Sequence, residues 1–166
     1  MKKLLISLAI AMMLVAAMVV PAMAADTDTG DTAITGEVPE VIDVIPPDGF
    51  AMPSLDPSAT QPISSGAKTV SVNYNGTGTW SLKIKDSKET NIGKMVKEST
   101  PLTNPLCVKG GDITGTALAL TEERTLKAAG SGSASISDLT FEQTVAWADG
   151  VGIYTITVTF TAASTP

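Results

Sequence analysis

Two stretches of the chain alternate cleanly between apolar and polar residues. Val70, Val72 and Tyr74 alternate with Thr69, Ser71 and Asn73, and Trp80, Leu82 and Ile84 alternate with Ser81, Lys83 and Lys85. A period of two puts one set on a buried face and the other in water, which predicts half-buried antiparallel strands. Asn75-Gly76-Thr77-Gly78 lies between them. These residues tolerate positive φ, so the whole reads as a β-hairpin. Further on, Leu139, Phe141, Val145 and Trp147 share one face, interrupted by Gln143. Tyr154, Ile156, Val158 and Phe160 then alternate with Thr155, Thr157, Thr159 and Thr161. Asp149-Gly150-Val151-Gly152 predicts a turn between these last two strands. Gly152-Ile153-Tyr154 has the form of a tyrosine corner, in which the hydroxyl bonds a nearby backbone group.

Weaker patterns fill the rest. Glu37 to Ile45 predicts a first strand, held to an edge or a strand start by Pro39, and Pro46-Pro47-Asp48-Gly49 ends it. Residues 46–66 form a proline-rich connection of about 20 residues, which spans on the order of 60 Å when extended. Asp86 to Thr100 is polar, with only Ile92, Met95 and Val96 to anchor it. Pro105 to Lys109, Ala117 to Leu120 and Thr125 to Ala128 predict short strands, and Gly130 to Ser137 a flexible turn. Seven to nine short strands with turn signals between them and no helical periodicity predict an antiparallel β-sandwich over residues 37–163.

The start of the chain belongs to a different class. Lys2 and Lys3 precede an uncharged apolar run from Leu4 to Val20, and Ala22-Met23-Ala24 has the form of a cleavage site. Residues 1–24 therefore read as an export signal, which predicts a secreted, extracellular, cell-surface protein starting at Ala25. Its removal leaves 142 residues with a net charge of −8, and residues 25–36 form a polar, mobile N-terminus. Residues 25–62 carry eight acids and no base, residues 63–127 nine bases and six acids, and residues 128–166 three acids and no base. Acidic ends flank a mildly basic middle. This suits a soluble exported protein and also electrostatic fit between neighbouring copies.

Composition narrows the chemistry. There is no histidine, which removes Ser-His-Asp and Cys-His nucleophilic systems and the commonest ligand of catalytic zinc. The acidic balance argues against nucleic acid. With the signal removed, no membrane partner is expected.

Short runs carry a family resemblance. Val70-Ser71-Val72-Asn73 followed by Gly78-Thr79-Trp80-Ser81-Leu82 resembles the first signature of WxL-like cell-surface domains. Leu102-Thr103-Asn104-Pro105-Leu106 is similar to another of their segments. So is Phe141-Glu142-Gln143 followed by Asp149-Gly150 and Gly152-Ile153-Tyr154-Thr155-Ile156-Thr157-Val158. The resemblance covers about residues 37–163 and implies an exported β-sandwich of the surface, sheath or S-layer-like kind found in bacteria and methanogenic archaea. The second Trp-x-Leu of that family is absent, since Val158-Thr159-Phe160 stands in its place. The resemblance therefore does not extend to peptidoglycan attachment.

Few residues are candidates for chemistry. Asp26, Asp28, Asp31 and Glu37 fall at positions one, three, six and twelve of a twelve-residue window. An EF-hand loop wants glycine at six, and here Gly30 and Asp31 are exchanged with no helix alongside, so a disordered acidic tail explains the same residues. Asn75-Gly76-Thr77 is the only N-x-[ST] sequon, so Asn75 is a candidate glycosylation site as well as a turn residue. Cys107, the only cysteine, fits either a small core residue between Leu106 and Val108 or a disulfide between chains. Trp80, Trp147, Tyr74, Tyr154, Phe141 and Phe160 are expected in the core and would otherwise form a carbohydrate platform. The carboxylate pairs Glu122/Glu123 and Glu142/Asp149 have no glycosidase signature. The resulting expectation is a non-enzymatic structural or adhesive protein without catalytic residues, cofactor or metal. Its partners would be copies of itself or a cell-wall polymer. A glycan-binding module and a small secreted hydrolase are the alternatives.

Overall fold

The computed structural model describes residues 32–165. Residues 1–24, read from the sequence as an export signal, and Asp26, Asp28 and Asp31 lie outside them. The chain divides into two units, Met1–Glu37 and Val38–Pro166, and the fold described below belongs to the second.

Strands are the only regular elements among the described residues. They are β1 Ile42–Ile45, β2 Ile63–Ser64, β3 Lys68–Tyr74, β4 Thr79–Asp86, β5 Val96–Lys97 and β6 Thr100–Pro101. β7 Cys107–Gly110, β8 Ile113–Ala119, β9 Arg124–Gly130, β10 Ala134–Gln143 and β11 Val158–Thr165 follow. One sheet has the order β1-β3-β10-β7-β8, with β2 also paired to β10. The other has the order β11-β4-β9, and β5 and β6 form a separate small hairpin. The named pairings are antiparallel. The molecule is an all-β antiparallel sandwich.

The expected hairpin at Asn75–Gly78 is not formed. Both strands exist with the expected alternation, but β3 pairs with β1 and β10 while β4 pairs with β11 and β9. The chain crosses from one sheet to the other at this corner. The physical reason lies in the apolar sets. In one flat hairpin, Val70, Val72 and Tyr74 would lie beside Trp80, Leu82 and Ile84 on a face that a third layer must cover. In opposite sheets the two sets cover each other, and all six side chains are at most 5% exposed. The C-terminal pair repeats the correction. β10 lies in the first sheet and β11 in the second, so residues 144–157 cross the end of the sandwich instead of turning back.

Other expectations shift at their ends. Only Ile42–Ile45 of the first predicted strand joins the sheet, and residues 37–41 are exposed. The segment expected to be a flexible turn enters β10 at Ala134, because Ala134, Ser135 and Ile136 pair with Val72, Ser71 and Val70. Of the three anchors in the polar segment, Met95 and Val96 are buried and Ile92 is 43% exposed.

Trp80 is buried, and its indole Nε1 donates to the Gly132 carbonyl at 2.8 Å. Gly130 opposite makes room for the ring. A Cβ there would lie 2.3 Å from the indole Cζ2, far inside contact distance. Two carboxylates pin loops to this body. Buried Asp86 accepts from the Lys88 and Gly93 amides at 3.0 and 2.8 Å. Asp112 accepts from the Ala128 amide at 2.7 Å and from Lys127 at 3.1 Å, joining the β7–β8 turn to β9 in the other sheet.

Candidate functional site

Two surface features stand out. The first is the edge where β1 joins the body. β1 adds four residues to β3, from Ile42 opposite Tyr74 to Ile45 opposite Ser71. It is the outer strand of its sheet, and only Ile42 and Val44 turn inward, half-buried against the core. Its capture does not rely on the ladder alone. Asn75 Oδ1 accepts from the Val41 amide at 2.6 Å, and its Nδ2 donates to the Pro39 carbonyl at 3.0 Å. The Asn75 amide donates to the Val41 carbonyl at 3.3 Å. The Tyr74 hydroxyl donates to Glu40 Oε1 at 3.1 Å. Burial pushes that hydroxyl's pKa up, and the neighbouring carboxylate adds to it. Asn75 thus clamps the chain's own extended residues 39–41 through their backbone groups, which any sequence offers. As a sequence it read as a turn residue or a glycan acceptor. The nitrogen that would carry a glycan here already donates to Pro39.

Behind β1 the connection is only partly loose. Phe50 packs against Phe141 with the rings tilted by 42° and their centroids 5.4 Å apart, and Lys68 Nζ lies 4.5 Å from the Phe50 ring centroid. Met52 and Leu55 pack against the core, and β2 fixes Ile63 and Ser64 to β10. The stretch between β1 and the first of these contacts is therefore only Pro46-Pro47-Asp48-Gly49, with Pro47 half-buried, much shorter than the connection of about 20 residues that proline content alone implied.

The second feature is the crossing segment 144–157. Trp147 is 79% exposed, Val151 96% and Ile153 85%. The expected core position of Trp147 is thus overturned. β10 ends at Gln143, whose Nε2 donates to the Thr144 and Asn104 carbonyls at 2.8 and 3.1 Å. Past that point no ladder carries the alternation that would have turned Trp147 inward. The segment is nevertheless braced. Asp149 Oδ1 accepts from the Thr103 amide and hydroxyl at 2.8 and 2.7 Å, and its Oδ2 accepts from the Ala146 amide at 2.8 Å. The Asp149 amide donates to the Ala146 carbonyl at 3.0 Å. The Tyr154 hydroxyl donates to the Gly150 carbonyl at 2.8 Å, which is the tyrosine-corner bond. Lys97 Nζ donates to the Val151 carbonyl at 2.6 Å. Partial burial raises the Asp149 carboxyl's pKa. The Thr103 and Ala146 hydrogen bonds and nearby Lys94 outweigh that and hold it below the ordinary carboxylate range.

The remaining candidates are scattered. Tyr74, Trp80 and Phe141 are core residues, and Tyr154 and Phe160 are half-buried. They do not form a platform with Trp147. Cys107 is half-buried on the outward side of β7, beside Lys109 and opposite the buried side that Val108 and Gly110 face. Its expected place as a core residue is corrected accordingly. Burial pushes its thiol up, the Glu142 charge adds to this, and Arg124 opposes it. Such a thiol is a poor nucleophile at neutral pH. Glu122 pairs with Arg124, and Glu123 with Lys83 at 2.7 Å. Glu37, the one described member of the calcium candidate, is exposed, and no group of three potential ligands occurs among the described residues. No family model matches the chain, and no curated protein matches it in sequence.

Proposed function

We propose that this protein is an exported, non-enzymatic building block of a cell surface that assembles with copies of itself by exchanging β1. The carrying observation is the Asn75 clamp. The groups that receive residues 39–45 are the Ser71–Tyr74 edge, the Asn75 amide and the Tyr74 hydroxyl, and all belong to the body of the sandwich. A neighbour's residues 39–45 would meet the same partners in the same register. Each copy would then give one strand and accept one, and where the exchange is not reciprocal within a pair it runs head to tail from copy to copy. The hinge Pro46–Gly49 has two prolines, which keep it extended and favour a strand that leaves its own body. Acidic residues 25–62 and the more basic 63–127 make donor and acceptor electrostatically complementary.

Light scattering of the mature protein at rising concentration tests this reading. Polymers are expected, and deletion of residues 25–47 is expected to abolish them. A peptide of residues 37–47 is expected to bind the deleted body. Polymers that survive the deletion overturn the proposal.

A further inference from the structure

We propose that Asn75 and Gly76 form a self-modifying site, at which the Asn75 side-chain amide converts to a carboxylate whenever residues 39–41 are not docked on it. The chain has four asparagines, at 73, 75, 91 and 104, and their successors are Tyr74, Gly76, Ile92 and Pro105. Deamidation begins when the amide nitrogen of the next residue attacks the asparagine Cγ. Glycine leaves that nitrogen unshielded and its own backbone free to turn, so Asn75 is the asparagine set up for the reaction. The fold also holds glycine at this place. A Cβ at position 76 would run into the Tyr74 hydroxyl and ring. The same hydroxyl donates to Glu40 at 3.1 Å. A contact that helps to dock the β1 segment thus keeps the reactive successor next to Asn75.

The reaction needs water and no other reagent. The Gly76 nitrogen bonds to Cγ, the Cγ–Nδ2 bond breaks, and Nδ2 leaves as ammonia with the Gly76 amide proton. Water then opens the succinimide at one of its two carbonyls, giving aspartate or isoaspartate. Nothing is oxidised or reduced. Asn75 is exposed, so water is at hand.

Docking of residues 39–41 opposes the first step. Asn75 Oδ1 accepts from the Val41 amide at 2.6 Å, and Nδ2 donates to the Pro39 carbonyl at 3.0 Å. Cγ carries both of these anchored atoms, so turning it onto the Gly76 nitrogen breaks both bonds. The product in turn opposes docking. A carboxylate still accepts from the Val41 amide, but it has no hydrogen to give, and a negative oxygen then faces the Pro39 carbonyl. The neighbouring Glu40 carboxylate adds like charge. An edge left empty therefore loses its grip on β1 with time, while an occupied edge keeps it. This inference rests on the clamp observed within the chain and not on strand exchange, since a neighbour's residues 39–41 would hold Asn75 in the same way.

Peptide mapping by mass spectrometry measures the site directly. Protein lacking residues 1–24 would be incubated in mildly alkaline buffer, folded and in urea, and the loss of each asparagine amide followed by its mass change. Isomerisation at Asp48-Gly49 and Asp149-Gly150 leaves the mass unchanged and does not interfere. In urea Asn75 is expected to convert ahead of the other asparagines. In the folded protein it should persist about tenfold longer or more, the protection that two hydrogen bonds confer. Ile42→Ser with Val44→Ser, which loosens β1, should shorten that persistence while hydrogen exchange in β4 stays slow. Asn75→Asp, the product made in advance, should quicken exchange at Val41 and across Ile42–Ile45 about tenfold relative to the parent. Equal loss of the Asn75 amide in folded and urea-treated protein overturns the proposal. So does persistence unchanged by loosening β1 in a folded body, which would place the protection in the turn itself. An Asn75→Asp protein that holds β1 as firmly as the parent also overturns it, and this variant decides the matter if the double serine variant does not fold.

Discussion

Trp80 and Trp147 occupy similar places in the alternating pattern and opposite places in the molecule, at 1% and 79% exposure. Trp80 stands in a strand paired on both sides, by β11 and β9, and each pairing fixes which face it takes. Gly130 leaves room for its ring, and the Gly132 carbonyl takes its N–H. Trp147 follows Gln143, after the last ladder pair of β10, and its neighbours are held by Asp149 rather than by a strand. An apolar residue at the right spacing therefore predicts burial only while a ladder continues to orient it.

Substitution should separate the two sites sharply. Trp80→Ala is expected to cost about 3–5 kcal/mol in urea unfolding, from lost burial and the cavity left behind. Trp147→Ala should stay within about 0.5 kcal/mol of the parent, as surface changes do. Equal costs at the two sites would break the comparison. Gly130→Ala should destabilise by about 1–3 kcal/mol, because its new methyl meets the Trp80 ring. The same unfolding series measures it.

At the β1 edge the expected effects are smaller and local. Asn75→Ala removes the side-chain partners of the Val41 amide and the Pro39 carbonyl. A loss of about 1 kcal/mol is expected, since water replaces part of what is lost. Hydrogen exchange should quicken at Val41 and across Ile42–Ile45 more than in β4. Uniform quickening would mean that Asn75 supports the whole fold and not the strand.

Acid should loosen the Trp147 segment with little effect on the Trp80 core. Asp149 has a folded pKa below its unfolded value of about 3.9, so its contribution is fully present above that value. It is lost as pH falls through the depressed folded pKa. Faster exchange of the Ala146 and Thr103 amides in that acid range is the expected sign, with Asp149→Asn showing the same looseness at neutral pH. A segment equally ordered in Asp149→Asn would show that its bracing lies elsewhere.

The sequence carried the sandwich class because alternation at Val70–Tyr74 and Trp80–Ile84 reflects burial directly. It did not carry the pairing, since the same alternation serves a hairpin or a corner between sheets. That choice depends on the apolar face available opposite each strand, which is a long-range property. The clamp was hidden for a related reason. Asn75 bonds backbone groups 34 and 36 residues away, and backbone leaves no mark in sequence. The exposure of Trp147 had one usable signal, Gln143 breaking the apolar face just before a glycine-rich run.

Strand exchange is tested most directly by trapping it. In the observed register Asp43 lies opposite Asn73 across the β1–β3 ladder. One batch of protein lacking residues 1–24 would carry Asp43→Cys and another Asn73→Cys, both with Cys107→Ser, and the two would be mixed and oxidised. Exchange predicts a disulfide dimer containing one chain of each kind, and a ladder of covalent polymers when both cysteines are placed in one chain. Only intrachain bridges in that double variant, with no mixed dimer from the two batches, would contradict it.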